Sequence, residues 1–236
     1  MSACRRVRWL TRLQWVALLL ALSGCASLEP LRTVPPGLLD DTLFPAANAP
    51  VEPPEPLALS TSMRQYLNEH LVQPGRPEQS LDALVRAVTH ATGLKLRYDA
   101  SRTRSAAEAF DDRAGNCLSL VLMTAAFARE LGFRVDFQAV DTPAYWSRHG
   151  EFLMASEHVN LGLTLPLTRL HEIRLQPTYV IDFLDADDSA RLPHHSIPEQ
   201  TVVAMFFNNR AAEALLDGDI DNAYALVRTA VRADPG

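Results

Sequence analysis

The chain has 236 residues, with 22 lysines and arginines against 28 aspartates and glutamates and a formal net charge of −6. That length suffices for one well-buried domain with a small appendage. An acidic chain without a basic stripe is a poor partner for nucleic acid.

Arg5, Arg6, Arg8 and Arg12 open the chain without an acid between them, and an apolar stretch runs from about Leu13 to Leu22. The stretch is short for a permanent membrane helix. It ends in Leu22-Ser23-Gly24-Cys25, which resembles the lipobox of bacterial lipoprotein signal peptides. The resemblance implies a signal peptide over 1–24 and a lipid on Cys25 that binds the protein to a membrane. Ala26 after that cysteine points to the outer membrane, facing the periplasm. Loss of four arginines with the signal takes the net charge to about −10. Cys4 leaves with the signal and Cys25 is lipidated, so Cys117 is the single thiol of the mature chain and no intrachain disulfide can form.

Prolines recur from Glu29 to Pro56, which predicts an extended, semi-rigid tether over 25–57. Helical spacing of apolar residues predicts helices over 60–72 and 78–92, the second capped by Gly93. KLRYD (95–99) reads as extended, and SRTRSAAEAFDDRAG as loop and helix. Asn116 caps a helix whose first turn holds Cys117, and the body LSLVLMTAAFAREL is apolar nearly all round. Such a helix is buried on every side, and Gly132 stops it. Alternating segments at 133–140, 157–165 and 178–184 then predict antiparallel strands. The expected fold is α+β, a sheet packed on one buried helix.

The alternation of a strand puts Val159, Leu161, Leu163 and Leu165 on one face, His158 and Asn160 on the other. By the same rule Asp182 points away from Tyr179, Ile181 and Phe183. A carboxylate inside so apolar a segment requires a partner. If the two strands are neighbours, His158 and Asp182 can meet, with Cys117 at the helix N-terminus as their target. A helix N-terminus and an imidazolium both favour the thiolate, the reactive form of cysteine. A carboxylate beyond the imidazole fixes its orientation, and first-turn N–H groups can stabilise an oxyanion.

Gly-Asn-Cys opening an apolar helix, followed by His158 and Asp182 and preceded by TRSAAEAFDDRAGNC, resembles the transglutaminase-like superfamily of papain-fold cysteine enzymes over about residues 80–190. The resemblance implies a papain/transglutaminase-like domain over 58–197, with Cys117 as nucleophile, His158 as general base and acid, and Asp182 as orienting group. Leu118 follows the cysteine where many members carry a polar residue. No counterpart of the papain-type oxyanion glutamine is evident.

Tyr145 and Trp146, read as a loop before the histidine strand, are candidates to line a peptide cleft with Asn116 and Asn160. His149 falls in a loop, His171 precedes EIR, and His194-His195 lie in a Pro-bounded loop near DADD (185–188). None has ligand spacing, so no metal is expected; without a phosphate-binding Gly-rich loop, nothing calls for an organic cofactor. Phe207, Ala211, Ala214, Ala223, Val227, Ala230 and Pro235 fall at the spacing of a tetratricopeptide repeat, implying a helical hairpin over 198–236 that packs on the domain or holds a protein partner. The expected function is a lipid-anchored envelope thiol enzyme acting on peptide or isopeptide amides of a peptide or protein substrate, with hydrolysis favoured over transfer to amines. The alternative is a catalytically silent scaffold that binds a protein through its cleft and repeat.

Overall fold

The computed structural model describes residues 33–44, 55–149, 152–165, 178–183 and 192–235, with backbone alone for 143–149, 152, 154 and 156. The signal segment, Cys25, most of the tether, His171 and the DADD run lie outside the described residues.

Helix α1 (Thr61–Tyr66) starts where the Ser60 hydroxyl accepts the Met63 N–H at 3.2 Å, and runs directly into a π-helical turn (Leu67–Leu71). Met63, Leu67 and Leu71 are buried along this pair. Helix α2 (Pro77–Thr89) begins with proline at the position whose N–H has no helical partner, and buries Leu81, Leu84, Ala87 and Val88. It ends at Thr89, and Gly93 does not cap it. Glycine is needed at 93 for space, since a Cβ there would lie 2.4 Å from the Ala87 carbonyl oxygen.

Strand β1 (Arg97–Tyr98) pairs in parallel with β2 (Ala114–Gly115), Tyr98 lying opposite Gly115. Between them, helix α3 (Ala106–Asp112) opens with a capping box in which Ser105 and Glu108 satisfy each other's backbone N–H groups. Arg113 ends it with a left-handed φ of 52°. Helix α4 (Cys117–Glu130) follows at once, capped by Asn116, whose side-chain oxygen accepts the Ser119 N–H at 2.9 Å. Every residue from Leu118 to Ala128 is buried, as an all-round apolar helix requires. Phe127 sits near its C-terminal end, its ring 5.7 Å from Phe110 and 6.1 Å from Tyr66. Gly132, at φ +81°, turns the chain out of the helix.

The sheet has the order β5-β4-β3-β6, every neighbouring pair antiparallel. Strands β3 (Arg134–His149) and β4 (Phe152–Thr164) form a hairpin longer than alternation predicted, with a register shift between Val140 and Tyr145. Tyr145, Trp146 and His149 therefore lie on a strand, not in a loop. Strand β5 (Tyr179–Ile181) pairs with the far half of β4, and Asp182 and Phe183 lie just past its end. Strand β6 (His194–Ile197) corrects the loop expected for His194-His195, which stand opposite Val140 and Ala139 of β3. Phe137, Val159, Leu161, Leu163 and Ile181 join the same core as α4. The molecule is thus α+β with a buried helix against an antiparallel sheet.

Helices α5 (Glu199–Leu216) and α6 (Ile220–Ala233) make an antiparallel hairpin, turning at Gly218 with φ +80°. Ala211, Ala214, Ala223 and Ala230 are buried, while Val227 is more than a third exposed. From Val34 onward the chain is one compact unit. Residues 33–44 depart from the extended tether expected of them. They turn at Pro35–Leu38 and Asp40–Leu43 and dock on α6, where Phe44 stacks on Tyr224 at 4.0 Å and Asp41 accepts from Arg228 at 3.0 Å. Among the described residues, no helix is long and apolar enough to cross a membrane.

Candidate active site

Three elements converge on Cys117. Asn116, at the junction of β2 and α4, uses its side-chain oxygen as the helix cap. Its oxygen accepts from the Ser119 N–H and hydroxyl, and its nitrogen donates to the Thr103 hydroxyl at 2.9 Å. That geometry makes Cys117 the first residue of α4, half-buried, where the unpaired N–H groups of the first turn carry partial positive charge.

His158 comes from β4 and is 5% exposed. Its Nε2–H is shared between the two Asp182 oxygens, at 2.8 and 2.9 Å. The strand register explains the meeting. Leu161 faces Ile181, so continuing the pairing places Asp182 beside Asn160, two residues from His158 on the same face. With Nε2 committed to Asp182, Nδ1 is the ring nitrogen left to face the Cys117 side chain, which acts on the imidazole from that side. Burial alone would depress the imidazole. The Asp182 hydrogen bond, the Cys117 hydrogen bond and the charges of both partners outweigh it and push His158 up to about 9. The three residues form one chain from thiol to imidazole to carboxylate.

Asn160, expected in the cleft, is instead 2% exposed and donates to Asp182 at 3.2 Å. It braces the carboxylate from behind the site. Its side-chain oxygen and that of Gln138, its cross-strand neighbour, are both buried without a hydrogen-bond partner among the described residues. Tyr145 and Trp146 pair with Ser156 and Ala155 on the hairpin; their side chains lie outside the description.

A cleft of about 360 Å³ opens over Cys117, lined by Tyr98, Glu157, Met205, Asn208 and Asn209 among others. Asn116 reaches it, as expected, but with its carboxamide already engaged. The volume is in the range that holds a small ligand or a few residues of a peptide. Sequence patterns gave no hint of Tyr98. The β1–β2 pairing brings its phenol to the first turn of α4, beside Cys117 and its backbone N–H. Burial raises the phenol above its ordinary value, charge on Cys117 adds to this, and that N–H offsets part of it.

The loop after Tyr98 is tied down by Arg104, whose guanidinium donates to Asp112 at 2.7 Å and to Asp99 at 2.9 Å. Asp99 is held at about 2, first by the Ser101 hydroxyl and backbone and, after burial's opposing effect, by Arg104. The Arg104 N–H donates to the Ser119 hydroxyl at 2.7 Å, joining this loop to the first turn of α4. Among the described residues, no group of three or more histidines, cysteines or acids could hold a metal. Comparison with family models, with curated proteins and with solved structures finds no match.

Proposed function

We propose that this chain is a cysteine-dependent enzyme of the papain/transglutaminase-like kind, anchored by lipid on Cys25 to the cell envelope, that cleaves peptide or isopeptide amides. The observation that carries the reading is the buried His158–Asp182 hydrogen bond beside Cys117, whose thiol stands at a helix N-terminus and in an open cleft.

In this reading the thiol proton already resides on His158, and the Cys117 thiolate attacks the substrate carbonyl carbon. The oxyanion forms against the Cys117 N–H, with the Tyr98 hydroxyl as the second donor. The intermediate collapses as the C–N bond breaks, and His158 gives its proton to the departing amine. The acyl group is now a thioester on Cys117. Water attacks it, losing a proton to His158, and the carboxylic acid leaves as the Cys117 thiolate is expelled, which restores the thiolate–imidazolium pair. Asp182 holds the ring so that one nitrogen always faces the sulfur. Hydrolysis is favoured because water reaches an open cleft without a binding site of its own.

The test is iodoacetamide alkylation of Cys117 in the folded full chain as a function of pH, beside His158→Ala. The thiolate is the reactive form, so fast alkylation below pH 7 that slows at least about tenfold in His158→Ala supports the site. A thiol that reacts only after unfolding would sink the reading.

A further inference from the structure

Helix α5 was expected to belong to an appendage, yet Met205, Asn208 and Asn209 line the same cleft as Cys117. Their spacing of three and one puts them on one side of the helix. Asn208 is exposed and Asn209 half-buried. Neither carboxamide takes part in a hydrogen bond among the described residues, whereas the Asn116 carboxamide in the same cleft is engaged at both its oxygen and its nitrogen. The next turn of α5 holds the helix in place. Arg210 donates to the Thr103 carbonyl at 3.1 Å, and Glu213 accepts the Thr103 N–H at 2.6 Å. Two unengaged carboxamides thus stand on a fixed helix beside the thiol. On the strand side, the only formally charged residue among the described lining residues is Glu157, one position before His158.

We infer that α5 supplies the substrate-holding wall of the cleft: Asn208 and Asn209 hydrogen-bond the main chain of a peptide lying over Cys117, and Glu157 selects peptides that are neutral or basic there. A carboxamide has both a donor and an acceptor and so matches the N–H and C=O of a peptide unit. A carboxylate beside the reacting group attracts a cationic side chain and repels an acidic one. The inference rests on the proposed amide chemistry at Cys117 and names the substrate class for it.

The test uses three irreversible electrophiles on the full chain: acetyl-alanyl-lysyl vinyl sulfone, acetyl-alanyl-glutamyl vinyl sulfone, and ethyl vinyl sulfone, which has the same reactive group and no peptide. Each adds its vinyl carbon to the Cys117 sulfur, the new C–H proton coming from His158 or water. The lysyl probe should label wild type at least about fivefold faster than the glutamyl probe. Asn208→Ala with Asn209→Ala should lower the ratio of lysyl-probe to ethyl-probe rate roughly tenfold, and Asn→Gln at both positions should restore part of it. Glu157→Gln should remove the lysyl preference while the ethyl-probe rate reports a folded site. A peptidyl-to-ethyl ratio unchanged within about twofold in the asparagine variants, or no lysyl preference in wild type, overturns the inference while the thiol site stands. Failure of all three probes to label folded wild type overturns both.

Discussion

An imidazole that is buried and still protonated near neutrality makes stability depend on pH. His158 is raised from 6.5 to about 9 because the hydrogen bonds and charges of Asp182 and Cys117 outweigh its burial. A group raised on folding contributes stability that is whole below its unfolded value and is lost as pH climbs through its folded value. The window is therefore from about pH 6.5 to about pH 9, and the contribution is at most about 3 kcal/mol. Urea midpoints should fall across that window in wild type and stay flat in His158→Gln. Tyr98 carries a second prediction at this scale. If its hydroxyl shares the oxyanion with the Cys117 N–H, Tyr98→Phe lowers kcat for a peptide amide by roughly tenfold to a hundredfold and leaves KM nearly unchanged. A matching rise in KM would make Tyr98 a binding residue instead. The sequence disclosed Cys117, His158 and Asp182 because each stands out chemically against an apolar segment. Tyr98 does not stand out. Only the parallel pairing of two-residue strands seventeen positions apart, Tyr98 against Gly115, brings it to the thiol.

Among the elements, α4 was legible because its composition leaves no polar face, which forces burial whatever surrounds it. Phe127, near its C-terminal end, gives the stability test. It is 0% exposed and packs against the rings of Phe110 and Tyr66. Phe127→Ala should cost about 3–5 kcal/mol in urea unfolding, since the cavity can close only if α1 and α3 move towards α4. A cost near 1 kcal/mol would mean that the core collapses readily. Strand β6 was illegible for the opposite reason. His194-His195-Ser196-Ile197 has no alternation, is bounded by prolines, and is made a strand by pairing with β3 rather than by its own residues. The π-helical turn at Leu67–Leu71 was hidden too, because one extra residue per turn hardly disturbs helical spacing over so short a segment. Gly93 was misread because glycine after a helix suggests a left-handed cap, whereas here the close approach of Ala87 requires it.

For the whole molecule, the question is whether the hairpin is attached to the site or part of it. Repeat spacing gave the two helices but not where they dock, since small residues at helix contacts say nothing about the outer faces. One outer face of α6 is covered by the chain's own residues 33–44 through Asp41 and Phe44, which leaves less of the hairpin for a separate partner. The inner connection runs from Glu213 to the Thr103 N–H, from the Thr103 hydroxyl to Asn116, and from Asn116 to the first turn of α4. Glu213 is raised above the ordinary carboxylate range, chiefly by burial, with the Thr103 hydrogen bonds opposing. Removing its carboxylate should loosen the loop after Tyr98 and with it the cap on Cys117. Amide hydrogen exchange checks this directly. Glu213→Ala should speed exchange at Thr103 and at Ser119 by about tenfold or more, the cost of one lost charged hydrogen bond. Glu213→Gln, which keeps an acceptor for the Thr103 N–H, should restore most of the protection. Exchange that rises at Thr103 alone would show the connection ending there, with the hairpin holding the loop but not the nucleophile.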